Sequence, residues 1–292
     1  MVGDASWVEQ VWSAARGSPH FPGWAWFQLA AVIAGGAIVA RVTGRDRRLL
    51  LAFVVGVLLA GPGAIALGSG AAWVTWWTHG RSGPLPALEI AGFGAIAGLV
   101  CGYVLVARAT GVARERALDA LAPALGAMIA FSRLGCFFAG CDFGAPASVP
   151  WALRYPVMTP AFREQLDAGL IGASSLHTLP VHPTQLYEVC VGIVVLVVAL
   201  SWRAPRREGD RFAVALLLYA AGRFAVDFAR GDLPRGGALG LTTTQGFALT
   251  VAGMLLAWRA GAYAKSDASA EPAERPLGVD GERVETARGG EE

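Results

Sequence analysis

Residues 186–202 read LYEVCVGIVVLVVALSW. Past Glu188 the run carries no charged side chain, and Val, Leu and Ile dominate it. Roughly 17–25 mostly apolar residues in helical form cross the hydrocarbon of a bilayer. The stretch therefore reads as a membrane span, and its neighbours repeat the pattern. About seven spans are expected: Trp24–Val42, Leu49–Leu67, Leu85–Ala107, Ala117–Phe138, Leu186–Trp202, Phe212–Ala229 and Leu241–Ala260. Pro62 and Gly63 interrupt the second, and Pro123 with the Arg133–Gly140 segment complicates the fourth.

Composition agrees. Of the 292 residues, 54% are hydrophobic and 16% charged, against about 25% charged in a soluble domain. The fold class is an all-α integral membrane protein with a long outward-facing loop. Three parts are expected: an N-terminal outer or interfacial segment over 1–23, a membrane domain over 24–264, and a disordered cytoplasmic tail over 265–292. The tail is polar and rich in Pro and Gly, a composition that cannot bury a core. Val8, Val11, Trp12 and Ala15 stand at helical spacing and suggest an interfacial or docked helix. Met1–Gly23 lacks the apolar stretch of a cleavable leader, so insertion is expected to rely on the first span.

Arginines set the orientation. Arg41, Arg45, Arg47 and Arg48 flank the first link, Arg108, Arg114 and Arg116 the third, and Arg203, Arg206, Arg207 and Arg211 the fifth. By the positive-inside rule these alternate links are cytoplasmic. The N-terminus and the long Asp142–Gln185 link then face outward, and the C-terminus inward.

Ionisable residues inside spans are costly and usually functional. Tyr219, Arg223 and Asp227 stand four apart on the sixth span and share one helix face. If the span ends near Arg230, Arg223 lies about 10 Å below its outer end. That depth suits a lipid phosphate; the same spacing equally suits an Arg223–Asp227 pair that holds helices together. A second set is Arg133-Leu-Gly135-Cys136-Phe-Phe-Ala-Gly140-Cys141-Asp142. Its glycines permit unusual turns, and backbone N–H groups there would join Arg133 in holding an anion. The competing reading is a span end with an arginine reaching to the interface. Cys136 and Cys141 do not have a standard zinc spacing; a disulfide or metal between them stays open. The third set is His182-Pro183-Thr184-Gln185-Leu186-Tyr187-Glu188. Its helix starts at the outer face and points a positive dipole end there. His182 is either a base or a cap of that helix. Arg133, Arg223 and this helix start converge on one leaflet as a phosphate clamp. Composition and spacing carry the reading to phospholipid binding, not to a reaction.

Together the three segments resemble the bacterial prolipoprotein diacylglyceryl transferase family. Arg133-Leu-Gly135-x-Phe-x-x-Gly140 is similar to the family's Gly-Arg-x-Gly-Asn-Phe-x-Asn-Gly-Glu signature. His182-Pro-Thr-Gln-Leu-Tyr-Glu188 is similar to its His/Arg-Pro-Ser/Thr-Gln-Leu-Tyr-Glu segment, and Arg223-Phe-x-x-Asp227-Phe-x-Arg230 to its Arg-Phe-x-x-Glu-Phe-x-Arg segment. Thr244-Gln245 looks like a Gly-Gln in the same place. The resemblance implies transfer of diacylglyceryl from phosphatidylglycerol, or another anionic phospholipid, to the cysteine thiol of a lipobox-containing prolipoprotein. It implies a multi-pass protein of the bacterial plasma membrane, with the site toward the outer leaflet. Arg133 and Arg223 would hold the phosphate and stabilise the leaving group. Tyr219, Asp227, Gln185, Tyr187, Glu188, His182, Gly135, Gly140 and Arg230 would bind substrate. No cofactor, metal or nucleic acid is expected, since displacement at a phosphate ester needs positioning and charge stabilisation.

The chain departs from the pattern. Where the family carries His-Gly-Gly on the third span, this sequence has Glu89-Ile-Ala91-Gly92-Phe-Gly94. Glu89 is the expected substitute for that histidine, with His79 as a second candidate. The signature's two Asn and its Glu are Cys136, Ala139 and Cys141, and Asp227 stands for a Glu. Two other functions remain: a non-catalytic phospholipid-binding relative, which the missing histidine suits, and a small transporter with Arg223 and Asp227 along its path. No internal repeat of the transporter kind is evident.

Overall fold

Helix α4, Arg114–Ala139, is the axis around which the other helices pack, and every residue from Ala117 to Ala127 in it is buried. It belongs to a computed structural model that describes residues 23–78, 92–202, 207–231, 237–238 and 241–270. Glu89, His79, the helix suggested by Val8–Ala15 and the chain beyond Ala270 lie outside the described residues. Around α4 stand α1 (Gly23–Val42), α2 (Arg47–Thr78), α3 (Gly92–Ala109), α6 (Thr184–Ser201), α7 (Asp210–Asp227) and α8 (Thr243–Ala270). The short helix α5 (Pro160–Asp167) lies in the long link, and β1 (Gly237–Ala238) pairs antiparallel with β2 (Leu241–Thr242).

Five of these helices are long and apolar enough to cross a membrane: Gly23–Val42, Arg47–Gly70, Gly92–Ala109, Arg114–Ala139 and Thr184–Ser201. They match the first five expected spans in position. The sixth expected span is helix α7, whose Asp210, Arg211, Arg223 and Asp227 make it less apolar than the five. The seventh is α8, which starts at Thr243 because Leu241–Thr242 is held in the β ribbon, and runs past Lys265 to Ala270. Neither Pro62 nor Pro123 breaks its helix.

Small residues let the backbones touch. A Cβ on Gly94 would stand 2.3 Å from the Gly63 carbonyl oxygen, and one on Gly98 2.2 Å from that of Leu59, so α2 and α3 meet backbone to backbone. Gly126 of α4 and Gly192 of α6 do the same. Such contact replaces the hydrophobic drive that helices lack toward each other in lipid. Exposed Leu51, Val54, Leu58, Ile193 and Val197 face outward from these helices, as lipid-facing residues should.

Buried polar groups fix the opposite end of the bundle. Asp119 of α4 accepts hydrogen bonds from the backbone N–H of Gly209 (2.8 Å) and Phe212 (2.9 Å), capping α7 from another helix. Helix α7 has no side-chain cap of its own, so its first N–H groups depend on Asp119. Arg259 of α8 adds an ion pair to Asp210 and a hydrogen bond to the Glu208 carbonyl. Asp119→Ala is expected to lower stability by about 1–3 kcal/mol, since it orphans buried donors. The check is the unfolding midpoint in detergent, where Asp119→Asn, which retains an acceptor, should fall between the two.

Candidate functional site

Helix α4 ends at Gly140, whose φ of +72° is a left-handed C-cap, and its N–H returns to the carbonyls of Cys136 and Phe137. Two residues on, Asp142 also takes a positive φ, +58°. The chain thus doubles back, and the Asp142 carboxylate meets the Arg133 guanidinium with Nη1 to Oδ2 at 3.0 Å. The turn is tied to the start of α6. Thr184 Oγ1 donates to the Asp142 carbonyl (2.8 Å) and Gln185 Nε2 to the Cys141 carbonyl (2.6 Å). Gln185 is itself held by the Tyr155 hydroxyl, at 3.1 Å.

One turn beyond Thr184, α6 presents Glu188, 1% exposed. Its carboxylate is the hub of the site. Arg133 Nε lies 2.8 Å from Oε2, Arg223 Nε 3.8 Å from the same oxygen, and Arg230 Nη1 3.6 Å from Oε1. Arg223 also pairs with Asp227 across one turn of α7, Nη1 to Oδ1 at 3.2 Å. Arg230 reaches Asp142 Oδ1 through Nη2 at 2.5 Å. Three guanidiniums and three carboxylates thus form one network among α4, α6, α7 and the turn after α4. Thr242 donates to Asp227, and Gln245 is buried beside it with Oε1 on the Thr242 N–H (3.0 Å). Tyr219 is buried on α7, one turn before Arg223. Burial disfavours the charge on Asp142, yet Arg133 and then Arg230 outweigh it and hold the carboxyl well below the usual carboxylate range. The Asp142 side chain is therefore an anion at neutral pH.

The structure brings together Arg133, Arg223, Glu188, Asp227, Arg230 and Tyr219 from the residues singled out in the sequence. The Arg223–Asp227 pair suggested by spacing is present, inside a larger network. Gly135 is not at the network: a Cβ there would meet Phe27 at 2.8 Å, so it lets α1 approach α4. Gly140 forms the turn that ends α4. Helix α7 ends at Asp227, and Arg223 lies about 6 Å from the helix end rather than about 10 Å. Arg230 follows the helix, at an antiparallel bridge with Gly144.

His182 does not cap α6, which has no side-chain cap bond. Its Nδ1 faces the Tyr187 hydroxyl at 3.1 Å, and Trp151 Nε1 donates to that hydroxyl at 2.6 Å. An indole N–H only donates. The Tyr187 oxygen accepts from it, and His182 Nδ1 stands at hydrogen-bond distance from the same hydroxyl. Cys136 and Cys141 are free thiols, and their sulfurs and an Asp142 oxygen lie within 4.8 Å of one another. Asp142 and Thr184 stand in the segments quoted above but carried no role there, and Tyr155, Trp151 and Thr242 were not singled out. For Asp142 a signal existed: it is the acid next to Cys141, which stands where the family signature has Glu.

The long link is a folded structure of its own. Bridges join Pro146 and Leu153 to Val181, and Pro156 to His177, around a core of Phe143, Tyr155, Ala161 and Val181. The start of α3 also borders the site, since a Cβ on Gly92 would stand 3.1 Å from Arg133 Nη2.

Comparison with known proteins agrees with this geometry. A family model described as prolipoprotein diacylglyceryl transferase matches residues 87–259, the span that holds every member of the network. A phosphatidylglycerol–prolipoprotein diacylglyceryl transferase of Ralstonia pickettii is 32% identical over 208 residues, 64% of this chain and 67% of the relative. A protein of that name from Tropheryma whipplei is 30% identical over 173 residues, 57% and 59% of the two chains. One from Clostridium tetani is 32% identical over 130 residues, 44% and 46%. The chain spans about half the length of the first of these curated relatives that it matches.

Proposed function

The chain belongs to the prolipoprotein diacylglyceryl transferase family, and we propose that it transfers diacylglyceryl from phosphatidylglycerol to the cysteine thiol of a lipobox-containing prolipoprotein. The observation that carries the reading is the buried network of Arg133, Arg223 and Arg230 with Glu188 at its centre. Arginine forks grip phosphate oxygens in a defined geometry, and carboxylates at the back of the forks keep them in place.

In the proposed step the thiol sulfur forms a bond to the terminal glyceryl carbon. The bond from that carbon to the phosphate oxygen breaks, and its electron pair leaves with glycerol phosphate. Arg133 and Arg223 stabilise the charge that develops on the leaving phosphate, in a site from which water is largely excluded. Arg230 and Tyr219 complete the grip. The thiol must lose its proton to attack well. Glu89 is assigned that proton: it precedes Gly92, which adjoins Arg133. His182, held against the Tyr187 hydroxyl, serves in substrate binding instead of as the base.

The proposed topology has seven spans, α7 and α8 completing the set, with the 142–183 link and the network toward the outer leaflet. Reporter fusions within 165–175 and after Ala270 are expected on opposite sides of the membrane, the first outside. Both on one side would contradict the placement of the site.

Incubation of the purified protein with phosphatidylglycerol and a lipobox peptide tests the activity. The peptide should gain the mass of one diacylglyceryl group, with glycerol phosphate released. Phospholipid binding with no mass gain would instead fit a non-catalytic relative.

A further inference from the structure

Among the described residues the arginine network is formally balanced. Arg133, Arg223 and Arg230 face Asp142, Glu188 and Asp227, three basic side chains against three acidic ones. An arriving phosphodiester would add an uncompensated negative charge at a largely buried place unless one carboxylate withdrew. Glu188 and Asp227 stand on helices, and their side chains are 1% and 0% exposed. Asp142 differs in both respects. It lies on the turn after α4, and its side chain is 34% exposed. Of the three carboxylates it is the one that meets solvent. The backbone of the turn is pinned through the Cys141 and Asp142 carbonyls by Gln185 and Thr184. The carboxylate can thus rotate away about its own bonds while the turn stays in place. It also gives one oxygen to each of two guanidiniums, Arg133 Nη1 at 3.0 Å and Arg230 Nη2 at 2.5 Å. Two oxygens of a phosphodiester would bridge the same pair.

We propose that Asp142 holds the place of the donor phosphate in the unloaded protein and is displaced from Arg133 and Arg230 when the lipid binds. The inference rests on the phospholipid reading given above. It makes Asp142 a determinant of donor affinity and of specificity. A ligand that brings its own negative charge can replace the carboxylate, whereas a neutral glycerolipid would leave Arg133 and Arg230 with Glu188 alone as counterion.

The test is the affinity of the full chain in detergent for short-chain phosphatidylglycerol, glycerol phosphate and short-chain diacylglycerol, before and after Asp142→Asn. A self-occupied site lowers apparent affinity by the fraction of time it is open. If Asp142 is in place about nine-tenths of the time, its removal tightens phosphatidylglycerol binding about tenfold and leaves diacylglycerol unchanged. The glycerol phosphate arm tells whether the headgroup alone suffices; a gain for the lipid supports displacement in either case. Equal or weaker lipid binding by a variant with the unaltered unfolding midpoint overturns the proposal. A second measurement needs no variant. Carbodiimide labelling of carboxyls, read by mass spectrometry, should show Asp142 becoming more reactive when phosphatidylglycerol saturates the protein; unchanged or reduced labelling overturns displacement. If the unaltered protein binds neither phosphate ligand, the phospholipid reading fails with it. If it binds and only the Asp142 effects are missing, that reading stands and this one falls.

Discussion

Arg223→Lys is expected to keep the fold and lower lipid transfer roughly 30- to 1,000-fold, a loss of about 2–4 kcal/mol of transition-state stabilisation. The guanidinium of Arg223 divides its contacts. Nε faces Glu188 at 3.8 Å and Nη1 faces Asp227 at 3.2 Å. A lysine can satisfy one carboxylate as a point charge, so the network remains neutral and the helices stay packed. It lacks the planar fork that holds two phosphate oxygens while a carboxylate holds its other edge. The loss should therefore appear in the turnover rate of a protein with a normal unfolding midpoint. Arg133→Lys should behave alike, because Arg133 also spans two carboxylates, Glu188 and Asp142.

Glu188→Ala should act on the protein as a whole. Glu188 is the carboxylate that all three arginines approach, and it is 1% exposed. Its removal leaves a net positive charge in a buried place, and breaking a buried pair from one side typically costs about 3–5 kcal/mol. Folded stabilities of the order of 5–15 kcal/mol leave little room for that. The variant should accumulate poorly in membranes and unfold at lower denaturant concentration. Glu188→Gln keeps the shape and loses the charge, so it should also be destabilised. The compensated double variant Glu188→Gln/Arg223→Gln should recover stability but not transfer. Its recovery, measured by denaturation in detergent, separates charge imbalance from a packing defect.

These contrasts show which parts of the site were legible in the sequence. Five of the spans were, because a bilayer imposes length and apolarity on a helix regardless of its neighbours. Tyr219, Arg223 and Asp227 were too, since helical spacing alone sets a common face. Asp142 was not. Its contact with Arg133 depends on the left-handed cap at Gly140 and a second positive φ at Asp142 itself, and no periodicity announces either. Arg230 was expected at the end of a longer helix; it leaves the helix early because Gly144 and Ala229 bring two loops into register. The place of Gly135 was hidden for a related reason. A glycine lets a ligand or a neighbouring helix approach equally well, and only the packing shows Phe27 against it. The charge balance of the network was also hidden, because its three carboxylates come from a turn, α6 and α7.

The account turns on whether Arg223 acts on substrate or only holds Asp227. The measurement that decides is lipid transfer by the charge-removed pair Arg223→Gln/Asp227→Asn, scored beside its unfolding midpoint. The pair is neutral as a unit, so stability should stay near that of the unaltered protein, whereas each single change should lower it. If Arg223 grips the phosphate, the stable double variant transfers no more than about a thirtieth of the normal rate. Normal transfer by that double variant would contradict the phosphate-binding role and leave the pair as a helix-to-helix brace.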